Sequence, residues 1–429
     1  MEKEERVEVD EWQHRTLGDL CELRAGSVFP TSSQGRESGA YPFIKVSDMN
    51  LPENIRCIQS ANNWVNDEDL AHLKAKPFPN GTTVFAKIGE ALKQNRLRFI
   101  VKPTLIDNNM MGAVPNKSLI DPQFYYYALS QFDFADIANG TALPYLTVGG
   151  LSSLTLSLPP LPEQRAIAHI LGTLDDKIEL NRCMNETLEA MARALFKSWF
   201  VDFDPVRAKM EGRDTGLPRR IADLFPDRLV DSELGKIPEG WEVGCIGDIA
   251  NSPRRSVNPM DLPDNTPYIG LDHMPRQSVS LMEWGSSVNI TSNKSIFKKG
   301  EILFGKLRPY FHKVGIAPVG GICSTDIVVV TQQTAEWFAF LLACLSSTEF
   351  VNYTDQTSTG TKMPRTSWKI MASYRLCLPP PSIIQEFQNA TLSIVEHIIT
   401  NIHESRALAT LRDTLLPKLV SGELRAGKI

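Results

Sequence analysis

The chain has 429 residues, is 42% hydrophobic and 22% charged, and sets 45 Lys+Arg against 50 Asp+Glu. That length holds roughly two to four domains with sizeable cores, and the composition excludes a disordered or fibrous chain. No run of eighteen apolar residues occurs and the N-terminus (MEKEERVEVDEW) is acidic, so neither a membrane span nor a secretory leader is expected and the location reads as cytoplasmic.

The formal net charge of −5 gives no support to a globally basic binder, which leaves local surfaces to carry any interaction with nucleic acid. Seven cysteines stand singly with no CxxC pair, against a zinc site or a disulfide frame. The histidines show no metal-ligand spacing, and no GxxxxGK[ST] loop, HExxH helix or Asn/Asp-Pro-Pro-aromatic motif is present. No catalytic and no metal-binding residue is therefore assigned.

An acidic tail (1–11) precedes a first globular stretch, 12–157. Short β-like runs such as 82–88 are punctuated by Gly, Pro and Asn, and a helical patch follows at 124–132. From 158 to 205 apolar residues recur every four and three positions: Ile167, Leu171, Leu174, Ile178, then Leu188, Ala192, Leu195 and Trp199. Asn181 and Asn185 fill the two slots where that rhythm calls for apolar residues. This is a heptad seam broken by a polar layer, and it predicts one helix of about forty residues, on the order of 60 Å long, ending at Asp204-Pro205.

A charged connector (206–235) with little periodicity leads into a second globular stretch, 236–377, and a last helical segment, 378–429. The second half repeats the first. Leu17-Gly18-Asp19-Leu20 aligns with Ile246-Gly247-Asp248-Ile249 at an offset of 229, and Tyr41 to Ile44 with Thr266 to Ile269 at 225. FPNGTTVFAKI from Phe78 aligns with FKKGEILFGKL from Phe297 at 219, and Gly140 to Pro144 with Gly360 to Pro364 at 220. Leu158-Pro159-Pro160 then aligns with Leu378-Pro379-Pro380, and Asn401 and Ser405 fall on Asn181 and Asn185. Pro417 and Gly422 are expected to close the second helix.

The expected fold is α+β: two pseudo-symmetric mixed α/β domains separated by two long helices that pair antiparallel as a coiled coil. The polar layers would meet each other, since an apolar seam penalises an unpartnered amide. Remaining apolar faces of the helices suit partner subunits. The alternative is that the asparagines form a solvated stripe.

The halves resemble the specificity subunit of type I restriction-modification systems. The resemblance is carried by LPPLPEQRAIAHIL (158–171), LDDKIELN (174–181), LFKSWFVDFDPVRAKMEGR (195–213), IADLFPDRLVDSELGKIPEGWEV (221–243) and LRDTLLPKLVSGELR (411–425). The second helix departs from the pattern, opening LPPPSIIQEF. The resemblance implies two target recognition domains, each reading half of a bipartite, asymmetric double-stranded DNA site. It implies paired helices that set the half-site spacing and dock two methyltransferase subunits, with restriction/translocase subunits completing the complex. This chain would bind no cofactor; S-adenosylmethionine, ATP and magnesium would sit on its partners.

If the domains read DNA, loops bearing Arg, Lys, Asn, Gln and aromatic residues supply the contacts. The candidates are Lys87, Lys93, Gln94, Asn95, Arg96 and Arg98 in the first domain with Thr141 and Tyr145 in its turn. In the second they are Lys306, Arg308, Tyr310, His312 and Lys313, with Thr361, Lys362, Arg365 and Ser367. Solvated surface loops are the alternative for each cluster. Residues 240–375 hold 13 Lys+Arg and 11 Asp+Glu, a net of +2, so a basic surface there must come from arrangement. The competing function is a coiled-coil assembly scaffold with two protein-binding domains that do not touch DNA.

Overall fold

The structure is a computed structural model, and it describes residues 12–140, 143–288 and 290–426. The chain divides into two compact units, one running to Asp176 and resuming at Ala409, the other spanning Lys177–Leu408. Each unit therefore contains a stretch of both long helices as well as its own mixed domain, a division that differs from the domain borders expected from sequence.

In the first unit a five-stranded sheet runs in the order Cys21–Ala25, Met110–Pro115, Thr83–Ala86, Leu97–Ile100, Cys57–Ile58. The central strand, TVFA, is buried at all four residues, which its β-branched and aromatic side chains favour. A three-stranded sheet (Trp64–Val65, Tyr41–Ile44, Leu105–Ile106) includes a parallel pairing of Phe43 with Leu105. The second unit repeats the plan. Ile302–Gly305 pairs with Ile327–Gln332 and Val314–Ile316, and Tyr268 meets Ile322 in the same parallel manner.

The entry to each domain shows the repeat at atomic level. Gln13–Thr16 pairs antiparallel with Thr155–Leu158, and Glu242–Cys245 with Arg375–Leu378. Each first strand runs into a one-turn helix whose capping carboxylate, Asp19 or Asp248, accepts from the backbone of Thr16 or Cys245. The Thr16 hydroxyl and then its amide hold the Asp19 carboxyl below the usual aspartate range, and the Cys245 amide does the same for Asp248.

The first long helix is Leu161–Phe200 and the second Pro381–Ser421. The first stops four residues short of the expected Asp204-Pro205. Phe203 adopts a left-handed backbone (φ 55°), and its ring packs on Trp241 at 5.6 Å between centroids. The second does not stop at Pro417, which lies inside the helix. A proline there costs about 3 kcal/mol, but the turn beyond it buries Leu419 and Val420 in the first unit's core, each offsetting about 1.5–3 kcal/mol. Gly422 (φ 82°) then ends the helix.

The connector is not featureless either. Asp204–Met210 and Arg219–Ala222 are helical, and Leu229–Ser232 forms a hairpin with Gly235–Pro238. Val206, Ile221, Phe225 and Ile237 enter the second unit's core around Trp199, Phe200 and Phe387.

Within the second unit the helices run antiparallel. Asn401 Nδ2 donates to Asn185 Oδ1 at 2.8 Å, and Asn181 Nδ2 donates to Ser405 Oγ at 3.2 Å and to Glu404 Oε2 at 2.8 Å. Asn185 Nδ2 reaches the Ile398 carbonyl at 3.5 Å. All four layer residues are buried, and Asn181 Oδ1 has no partner among the described residues. One turn on, the buried Glu189 carboxylate accepts from Ser278 Oγ, Ser280 Oγ and the Val279 amide, fixing the second domain to its helix.

In the first unit the corresponding anchor is ionic. Asp175 accepts from Tyr127 Oη at 2.6 Å and from Arg412 at 2.6 Å, with Arg56 at 3.7 Å. Nearby, Arg425 makes a two-pronged bond to Glu163, whose carboxylate also accepts from the Trp12 indole. Among the described residues no helix is long and apolar enough to cross a membrane.

Candidate nucleic-acid interface

In each domain a lysine-bearing loop leaves the end of the central strand and is laced by backbone bonds to a turn whose glycine lies 53 or 54 residues later (Lys87 to Gly140, Lys306 to Gly360). In the first domain the Leu146 amide donates to the Lys87 carbonyl (2.8 Å) and Gly89 to the Pro144 carbonyl (2.8 Å). In the second, Thr366 donates to the Lys306 carbonyl (3.0 Å) and Arg308 to the Pro364 carbonyl (2.7 Å). Reciprocal bonds close each turn, between Asn139 and Tyr145 and between Thr359 and Arg365. Both turns need a glycine with positive φ, Gly140 at 83° and Gly360 at 98°. The candidate stretches, far apart in sequence, thus form one surface per domain, built twice.

One difference is informative. Gly89 takes φ 74° where the second domain has Arg308 at φ 50°. A non-glycine residue in that region is strained, and such strain concentrates at functional positions. Arg308 projects toward the Phe311 ring (5.9 Å), which Arg276 approaches at 4.2 Å. Arg276 was not legible in the sequence: it is isolated there and becomes part of the cluster only through that ring. Beside it, burial and then the Arg276 charge push the Lys313 ammonium below its usual value.

The candidate side chains divide by availability. Lys87, Gln94, Arg96, Lys306, Thr361 and Lys362 make no side-chain bond among the described residues, and all but the half-buried Lys87 and Lys306 are exposed. Tyr145 and Tyr310 are exposed, at 45% and 51%. Lys93 pairs with Glu90 and Arg365 with Asp326, both at the surface, where such pairs hold weakly.

The remaining candidates are occupied by the fold. Asn95 (φ 48°) donates to the Phe132 carbonyl and accepts from the Phe134 amide. Arg98 lies in the strand Leu97–Ile100 rather than in a loop, and donates to the Met49 and Leu97 carbonyls. His312 bonds the Ser346 carbonyl, Lys313 the Leu271 carbonyl, and Ser367 caps the helix Trp368–Ala372. Thr141 lies outside the described residues.

Two copies of one α+β domain, each presenting a basic loop braced by a glycine turn, together with two antiparallel helices, define a duplicated recognition scaffold. The sequence profile of the type I restriction modification DNA specificity domain matches residues 9–190 and 238–411. The chain belongs to that family of type I specificity subunits. It is 26% identical to the type I restriction enzyme HindI specificity subunit of Haemophilus influenzae, over 95% of this chain and 100% of that one. It is 25% identical to the MjaIX specificity subunit of Methanocaldococcus jannaschii, over 98% and 95%. The crystal structure of the type I restriction-modification S subunit from M. genitalium covers 98% of both chains with a TM-score of 0.57 at 14% identity, a likeness of fold.

Proposed function

We propose that this chain is the non-catalytic, sequence-reading subunit of a type I restriction-modification complex. Each mixed domain reads one half of a bipartite, asymmetric DNA site. The observation that carries this reading is the duplicated loop-and-turn surface, with Lys87 and Lys306 at equivalent places, without a side-chain partner among the described residues and with different neighbours. Equivalent frames with unlike side chains suit two unlike half-sites.

The long helices set the half-site spacing and dock two methyltransferase subunits, through which restriction/translocase subunits join. Leu180, Met184 and Met191 support the docking role: they are exposed on the first helix at spacings of four and seven, a single helical face. The methyltransferase partners hold S-adenosylmethionine and methylate adenine, while ATP and magnesium serve the translocase. Duplex binding by the chain assembled with its methyltransferase partner tests this. Lys87→Gln and Lys306→Gln should each weaken binding and flatten its salt dependence by up to about 0.9 in log–log slope. Unchanged affinity and slope in both variants would count against the surface.

A further inference from the structure

The second domain holds an open cleft of about 270 Å³ beside Lys306. Arg254, Arg255, Lys306 and Thr366 line it among other hydroxyl-bearing and apolar side chains. Among the described residues no carboxylate lines it, although residues 240–375 carry 11 acidic side chains against 13 basic ones. Arg255 is spent on Glu301, to which its Nη2 bonds at 2.5 and 2.6 Å. Arg254 is exposed and Lys306 half-buried, and neither side chain has a partner among the described residues.

Thr366 supplies a second, independent observation. It is only 3% exposed, and its hydroxyl finds no hydrogen-bond partner among the described residues. A buried donor without an acceptor is unfavourable, and an acceptor from a ligand would relieve it. The first domain lacks this arrangement. Leu146 bonds the Lys87 carbonyl where Thr366 bonds that of Lys306, and at the repeat offset of 229 that aligns Leu20 with Ile249, Ala25 stands where Arg254 does.

We propose that this cleft binds a phosphodiester of the DNA backbone next to the second half-site, with Arg254 and Lys306 supplying charge and Thr366 a hydroxyl donor. The inference rests on the DNA-reading function above and adds to it a sequence-independent anchor confined to one domain.

The test uses the full chain assembled with its methyltransferase partner and measures duplex binding as salt is varied. Arg254→Ala and Thr366→Val are the main variants; the first is at the surface and the second preserves volume. Arg254→Ala should weaken binding about 3- to 10-fold, equally on the methylated motif and on a duplex with a scrambled second half-site, and reduce the salt slope by about 1. Thr366→Val should weaken binding with the slope unchanged, because it removes no charge. A methylphosphonate at one backbone position should erase the difference between wild type and Arg254→Ala.

Wild-type affinity and slope in both variants would overturn the proposal while leaving the half-site function intact. So would millimolar inorganic phosphate binding to wild type and not to Arg254→Ala while duplex affinity stays equal, since the cleft would then take a free anion. Failure of the wild-type assembly to bind any duplex would instead remove the underlying DNA reading.

Discussion

Asn185 on the first long helix receives its hydrogen bond from Asn401 on the second, 2.8 Å away and shielded from solvent. An apolar seam tolerates sliding by a heptad; a buried amide pair does not, because a shift strands both groups. Polar pairs at seam positions commonly fix register at some expense in stability. Here the register also sets which residues of one helix face the other.

Asn185→Leu should therefore destabilise the second unit by about 1–3 kcal/mol, since the Asn401 amide is left buried without its acceptor. Asn185→Leu with Asn401→Leu should recover much of that loss. Urea unfolding of the two single variants and the double variant gives the coupling, expected at about 0.5–3 kcal/mol. Additive effects would mean the pair does not act as a unit.

Asp175 anchors the first domain as the amides anchor the helices. Removing it leaves the Tyr127 hydroxyl without its acceptor and with only the 3.4 Å contact from Arg56, yet Arg56 retains Asp176 and Arg412 retains Asp413. The fallback partners put the expected loss for Asp175→Ala at about 1–3 kcal/mol, below the 3–5 kcal/mol of an unsupported buried pair. Tyr127→Phe should cost about 1 kcal/mol. Thermal melts of the three proteins decide it, and a Tyr127→Phe loss larger than that of Asp175→Ala would contradict this division.

The clasp at Glu163 makes a pH prediction. Burial pushes its carboxyl up, but bonds from Arg425 and Trp12 and the Arg425 charge outweigh burial and hold it below its usual value. A depressed folded-state pKa means stabilisation is complete above the unfolded value of about 4.3 and is lost as pH falls through the lower folded one. Hydrogen-exchange protection of residues 419–426 should thus fall below about pH 4 in the wild type. Glu163→Gln should show lower protection at neutral pH and little of this acid-side decline. Parallel pH curves for the two proteins would rule the clasp out.

Much of this was legible in the sequence because the chain states it twice. The offsets of 219 and 220 that align Lys87 with Lys306 and Pro144 with Pro364 are the ones the backbone bonds obey. Helix ends were less legible. Asp204-Pro205 and Pro417 are local stop signals, and burial of Phe203 in one case and of Leu419 with Val420 in the other overrode them. The connector's buried apolar residues, Val206, Ile221 and Phe225, follow no period in the sequence and come together only in the core around Trp199, Phe200 and Trp241. Availability of side chains was least legible: nothing in the string KQNRLR separates the exposed Gln94 and Arg96 from Asn95 and Arg98, which the fold consumes.

The central claim is that the two domains read separate halves of one DNA site. Its most direct test is to co-express the chain with its methyltransferase subunit and read the methylated motif from genomic DNA, before and after residues 12–157 are exchanged for those of a relative. One bipartite motif should appear, and the exchange should change one half-site while leaving the other as it was. No modified motif, or an exchange that alters both halves or neither, would contradict it.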